Sequence, residues 1–335
     1  MTVARAETAE RRRTMLRTAM GAQIAAALAD AAVVEVMVNP DGRLWLDQLG
    51  AGRIDTGVVM SPADVERIIR LVASHVRTEA HAEAPIVSGE LPPRDGAMVG
   101  ERFEGVLPPV ARAPFFSIRK PAGRIHTLDD YITSGVMAPV QVETLRDAVA
   151  QRLNILIVGA TSAGKTTLAN ALLAEIAKSG ERVIVLQDIL ELQCAAPDTA
   201  SLRTIPGSVT MADLVRSTLR LRPDRIVVGE VRGGEALDLL KAWNTGHPGG
   251  LSTIHANSAR SALYRLEQLV QEVVVSAPRR LIAEAVDIIV FIRGRGTGRR
   301  VETVARVTGL DSSGEYVLAD LDPPQLKRFR QGQPQ

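Results

Sequence analysis

Short apolar runs alternate with amphipathic stretches along this chain, and the pattern changes character near residue 142. From Val142 onward, near-continuous apolar runs at 153–158, 182–187, 225–229, 251–255 and 286–292 read as strands. Between and after them, 166–178, 211–221, 233–243, 259–272 and 279–285 read as helices. Strand–helix alternation with strands apolar at every position predicts a parallel sheet covered on both faces. A final strand is expected over 301–310. Before residue 142 the pattern is mixed. Leu16 to Leu28 reads as a helix. Val33–Val38 is a β-branched strand that stops at the turn Asn39-Pro40-Asp41-Gly42, and Arg43–Asp47 returns as the second arm of a hairpin. Ser61-Pro62 opens a helix with an N-cap serine and a proline at its first position, and Val65, Ile68, Ile69 and Val72 share one face of it. Residues 85–121, rich in Pro and Gly, read as strands and turns, Phe115–Arg119 being the clearest strand. The expected division is an unstructured 1–13, an α+β domain over 14–120, a linker over 121–136, an α/β domain over 137–310 and a polar tail over 311–335.

Composition narrows this only in places. With 335 residues, 46% hydrophobic but 3% aromatic, the chain must build aliphatic cores, and two domains are expected. Its net charge of +2 contains no dominating basic block, so nothing in the charge favours nucleic-acid binding. One cysteine, Cys194, excludes an intrachain disulfide and a Cys-rich zinc site and fits a reducing compartment. Arg11-Arg12-Arg13 before the apolar run 18–29 superficially resembles a signal peptide. Arg17, Asp30 and Glu35 suit a soluble amphipathic helix better, and no apolar run approaches the length of a membrane span.

The chemistry concentrates in the second half. Gly159-Ala160-Thr161-Ser162-Ala163-Gly164-Lys165-Thr166-Thr167 stands between an apolar strand and a helix, the setting a phosphate-binding loop needs. Its glycines let successive N–H groups point at phosphate oxygens, and the helix N-terminus adds partial positive charge. Lys165 would meet the outer phosphates and Thr166 would ligate Mg²⁺. Such a loop needs an acidic partner on a neighbouring strand. Arg225–Gly229 ends in Glu230, expected at the carboxyl edge of the sheet where open α/β folds bind ligands. The strand Val183–Gln187 runs into Asp188 and Glu191, either of which would reach metal or water. In the segment 246–257, Gly-rich and carrying His247 and His255, His255 stands at a strand end where it would touch the γ-phosphate or report its presence to a neighbouring subunit. No further Cys or His accompanies the two as metal ligands.

These four motifs, in this order, resemble the VirB11-type secretion ATPases: the loop at 159–166, the acidic box at 187–192, the run 221–232 ending Gly229-Glu230-Val231-Arg232, and the histidine box at 246–257. The segments 33–42 and Ser117–Pro121 resemble the family as well. The resemblance implies a RecA-like ATPase domain with a mainly parallel sheet behind a smaller α+β domain. It also implies ATP and Mg²⁺ as ligands, a hexameric ring, inner-membrane components of a secretion machine as partners, and a cytoplasmic place at the inner face of that membrane. By the same resemblance, Arg102 and Arg119 match N-terminal arginines that reach nucleotide phosphates. The acidic box departs from the family, which begins it Glu-Asp-Thr where this chain has Gln187-Asp188-Ile189. Restoring Glu at 187 and Thr at 189 would be expected to raise turnover.

A type IV secretion or conjugation motor is therefore the leading expectation. A type II secretion or type IV pilus motor shares all four boxes. Many extension motors carry a Cys-rich module that a single cysteine rules out, but retraction motors lack it. A nucleotide-gated scaffold with weak hydrolysis is permitted by the altered box. A helicase is disfavoured by near-neutral charge and few aromatics.

Overall fold

The computed structural model describes residues 3–93, 99–121 and 124–321. The chain divides between residues 123 and 124 into two compact units. In the first, a helix α1 (Val3–Ala29), broken at Gly21 where φ is 74°, precedes the strands β1 (Val33–Val38), β2 (Arg43–Gln48) and β3 (Gly52–Val59). Helix α2 (Pro62–Val76) and strands β4 (Ile86–Glu90), β5 (Arg102–Val106) and β6 (Phe115–Arg119) follow. The six strands form one antiparallel sheet in the order β3-β2-β1-β6-β5-β4. Period-2 alternation puts Val36, Val38, Phe103, Phe116 and Ile118 on one face. They are buried together with Val65, Ile68, Ile69 and Val72 of α2 and Leu16, Met20 and Ile24 of α1. Ser61 caps α2 as the sequence predicts, accepting from the Asp64 backbone N–H at 3.1 Å.

α1 begins at Val3, inside the segment read as unstructured; its Ala, Glu and Arg residues are good helix formers.

The second unit contains α3 (Leu128–Thr133), α4 (Pro139–Ala150), β7 (Ile155–Val158), α5 (Lys165–Ile176), β8 (Val183–Gln187), β9 (Thr199–Arg203), α6 (Met211–Thr218), β10 (Arg225–Val228), α7 (Glu235–Asn244), β11 (Leu251–Ile254), α8 (Ala259–Val270), α9 (Arg279–Ala285), β12 (Ile288–Arg293), β13 (Arg300–Leu310) and β14 (Tyr316–Asp320). Its sheet runs β14-β13-β12-β7-β11-β10-β8-β9; the six strands from β12 to β9 are parallel, and β13 and β14 are an antiparallel addition. The strands are apolar throughout because they serve two cores. Ile155, Ile157, Val183, Val185 and Val227 face α4 and α5, while Leu156, Val158, Ile184, Leu186, Ile226 and Val228 face α6 to α9. This is the expected RecA-like α/β arrangement behind an α+β unit.

The boundaries differ from those read in the sequence. The stretch expected to be a linker holds α3, whose Thr127–Asp130 capping box closes its N-terminus and whose Leu128 and Tyr131 are buried in the second core, so that unit starts at residue 124. Tyr316–Asp320, expected in the tail, extends the sheet as β14. The rest of that tail, from 322, lies outside the described residues.

Candidate functional site

Parallel pairing brings the candidate residues together. Ile254 is in register with Val158, and Val228 with both Ser252 and Leu186. The chain leaves β7, β8, β10 and β11 at one edge, so the loop from Gly159, the acidic box, Glu230 and His255 all emerge there. Residues 159–164 turn between β7 and α5. Ser162 takes φ 64° and Gly164, the N-cap of α5, takes φ 101°, a left-handed conformation that favours glycine. Lys165, 7% exposed, donates to the Ala160 carbonyl at 3.3 Å, curling its ammonium over the loop.

A chain of charged contacts runs outward from that ammonium. Lys165 Nζ lies 3.2 Å from His255 Nδ1, and His255 Nε2 lies 2.6 Å from Glu230 Oε1. The Lys165 ammonium is 3.3 Å from Nε2 as well, so it lies against both ring nitrogens, and the approach of His255 to Glu230 is close but not aligned as a hydrogen bond, Glu230 Oε1 having no hydrogen-bond partner among the described residues. Burial, and then the Lys165 charge, favour the neutral ring and hold the His255 pKa below its ordinary value, although Glu230 pulls it upward. On its other side Glu230 Oε2 accepts from Arg232 through Nη2 at 2.5 Å and Nε at 2.9 Å. Arg232 reaches Asp188 at 3.7 Å, and Asp188 accepts from Thr204 at 3.0 Å. Burial opposes the charge on Arg232, but the Glu230 hydrogen bonds and the nearby carboxylates outweigh it and raise its pKa.

Glu191 completes the cluster from the acidic box, accepting from Thr166 Oγ1 at 3.3 Å. Two buried side-chain amides hold the backbone there. Gln187, 2% exposed, accepts the N–H groups of Glu191 and Leu192 at 3.0 and 2.9 Å and donates to Ser201 at 3.0 Å. Asn170, also 2% exposed, donates to the Glu191 carbonyl at 3.0 Å and accepts the Gln193 N–H at 2.8 Å.

The role of Gln187 corrects one expectation. A carboxylate at 187 was expected to stand at the phosphates, and restoring it together with Thr at 189 to raise turnover. The side chain is instead buried and committed to the loop that presents Glu191. Glu at this position would still accept both N–H groups, and Ser201 could turn its hydroxyl to donate. We therefore expect Gln187→Glu, alone or with Ile189→Thr, to leave ATP turnover within about twofold of the parent. Gln187→Ala strands two backbone donors, which costs about 1–3 kcal/mol each where they stay dry, and should lower both turnover and unfolding midpoint. Steady-state hydrolysis and thermal unfolding of the three variants check this.

Asn170 and Arg232 were not singled out from the sequence. A signal existed for each. Asn170 is an amide inside an apolar helical run, and Arg232 lies two residues beyond Glu230, on the same side of an extended segment. His247 stands apart, its Nδ1 3.1 Å from the Pro223 carbonyl. Arg102 and Arg119 belong to the first unit. There they are direct neighbours across β5 and β6, with Glu90 and Glu35 next in the same row. Like charges so placed repel, and the flanking carboxylates offset the repulsion.

The residues fit a magnesium nucleotide better than a free metal ion. Among the described residues no three His, Cys, Asp or Glu side chains gather as a metal cage. Mg²⁺ suits such a site, because it takes few protein ligands and the rest from phosphates and water.

The pattern of the type II/IV secretion system protein family matches residues 65–295. The chain belongs to that family. It is 52% identical over 296 residues to the conjugal transfer protein TrbB of Rhizobium radiobacter, covering 88% of this chain and 90% of that one. The type IV secretion system protein PtlH of Bordetella pertussis is 33% identical over 318 residues, covering 83% and 91%. Among solved structures, the pilus retraction motor PilT with bound ADP shares the fold at a TM-score of 0.61 and 17% identity, covering 93% of this chain and 89% of that one. The resemblance to VirB11-type ATPases read from the four motifs thus holds, and the family carries ATP-binding ATPase domains. Among the described residues no helix is long and apolar enough to cross a membrane.

Proposed function

We propose that this protein is the ATP-hydrolysing motor of a type IV secretion or conjugative transfer system. The observation that carries this reading is the convergence of Lys165, Thr166, Glu191, Glu230 and His255 at one edge of a parallel sheet, in a chain half identical to a conjugal transfer protein. Lys165 neutralises the outer phosphates of ATP. Glu230 orients the attacking water and takes up its proton, and Glu191 supports Thr166. Bound Mg²⁺ would supply charge neutralisation at the phosphates, held by Thr166 and, directly or through water, by Asp188, Glu191 and Glu230. His255 would sense the γ-phosphate, since a polyphosphate competes for the ammonium its ring contacts. Arg102 and Arg119 add guanidinium forks suited to phosphoryl oxygens.

The protein works as a homo-oligomeric ring, six-membered by analogy with its family, against inner-membrane components at the cytoplasmic face. The pilus-motor and scaffold readings are not favoured, because the near relatives are conjugal transfer and type IV secretion proteins.

The test is hydrolysis together with assembly. Purified protein should release phosphate from Mg·ATP, and light scattering should show a ring whose formation is promoted by ATP. A strict monomer at micromolar concentration with and without nucleotide would overturn the ring. Assembly without turnover would restore the scaffold.

A further inference from the structure

Four arginines gather at the tip of the β12–β13 hairpin, Arg295 and Arg299 in its turn and Arg293 and Arg300 as the strand residues that flank it, and no role has been given to this turn so far. Its place in the sheet makes it interesting. β12 is the parallel neighbour of β7, with Phe291 in register with Val158, so the turn leaves the sheet directly beside the phosphate loop. It lies on the flank of β7 opposite to β11, the strand that ends at His255.

Two of its arginines touch the loop. Arg295 Nη2 donates to the Thr161 carbonyl at 3.2 Å. Arg299 lies over Gly164 so closely that a Cβ built there would stand 3.0 Å from its Nε and 3.2 Å from its Cζ. The buried Nε of Arg299 has no hydrogen-bond partner among the described residues. The charges at this hairpin tip are not all spent alike. Arg293 pairs with Glu302 at 3.3 Å. Among the described residues, no carboxylate forms an ion pair with Arg295 or Arg299. With Lys165 they gather three cations around one short loop, an arrangement that repels itself until an anion enters.

We propose that Arg295 and Arg299 are nucleotide-binding residues that donate to the inner, α- and β-phosphates held by the loop. The geometry separates the two ends of the polyphosphate. Lys165 and His255 mark the outer end on the β11 side, and the arginine turn approaches from the β12 side. Guanidinium forks match phosphate oxygens, and charge-assisted bonds to them are about twice as strong as neutral ones. Contacts to inner phosphates serve ADP and ATP alike. The turn thus sets affinity for both nucleotides and leaves discrimination between them to the His255 side.

This proposal rests on the phosphate-loop reading of Lys165, and the experiment is arranged to separate the two. Mg·ADP and Mg·ATP are titrated calorimetrically into the full chain, into Arg295→Gln, Arg299→Gln and Arg299→Lys, and into Lys165→Ala. Thermal unfolding of each is followed without and with ADP. We expect each Gln variant to unfold at the parent's midpoint without nucleotide, to gain less from ADP, and to lose about tenfold in affinity for both nucleotides. Arg299→Lys should recover part of the loss, because it keeps the charge but not the fork. If both Gln variants bind within twofold of the parent while Lys165→Ala loses binding, the arginine contacts are overturned and the loop reading stands. Unchanged binding in all variants overturns both. A fall in the nucleotide-free midpoint of Arg299→Gln that Arg299→Lys repairs, with ADP still raising the midpoint as in the parent, makes Arg299 a prop for the loop and overturns its proposed role.

Discussion

Lys165→Ala should abolish ATP turnover and, in the cell, the transfer or secretion that depends on it. The ammonium lies over the loop, 3.3 Å from the Ala160 carbonyl and 3.2 Å from His255 Nδ1. It is the charge that outer phosphates would meet, and alanine supplies nothing in its place. Losing one group aimed at developing transition-state charge costs about a hundredfold or more in rate. Lys165 is 7% exposed, so its removal also leaves a small void, but its main partners are a carbonyl and a ring that water can satisfy. The unfolding midpoint should therefore move little while turnover disappears. Phosphate release by the parent and the variant at saturating Mg·ATP, with unfolding curves for both, is the measurement. Hydrolysis at the parent's rate would show that residues 159–167 are only a Gly-rich turn.

The sequence made some of this site legible because the relevant spacing is local. A strand, a loop with fixed glycines, Lys165-Thr166 and a helix lie within about two dozen residues, and each piece constrains the next. Glu230 and His255 follow from the rule that parallel strands present their carboxyl ends together. Contacts made across the fold were not legible. Gln187 looked like a missing carboxylate because its partner Ser201 lies on β9, which alternates exposed and half-buried residues at the sheet edge and has no apolar run to announce it. The pairing of Arg102 with Arg119 depends on the register of β5 and β6, which no local pattern sets. Asn170 bonds across to the acidic box twenty-one residues away. The approach of Arg295 and Arg299 to the phosphate loop depends on β12 pairing with β7, which nothing local to 293–300 announces.

Glu230→Gln should bind ATP yet turn it over about a hundredfold or more slowly. The substitution keeps shape and removes charge, and the contacts around Glu230 show what that charge does. One oxygen lies 2.6 Å from His255 Nε2, and the other accepts twice from Arg232. A glutamine can keep its oxygen toward Arg232. Its amide nitrogen then faces His255 Nε2 where a charged oxygen stood. Turning the amide over sets two donors against Arg232. The first arrangement loses the charge beside His255, the second loses both Arg232 hydrogen bonds as well, and neither provides a base for the attacking water. Arg232, now without its charged partner, is drawn toward Asp188 at 3.7 Å and toward the charge of Glu191. Nucleotide affinity should survive, because the phosphate loop and Lys165 are untouched and an anion has been removed from the site. Single-turnover hydrolysis beside equilibrium ATP binding separates the two effects. Equal turnover in parent and variant would shift the base to Glu191, and the Glu191→Gln, Glu230→Gln double variant would then show whether either carboxylate is required.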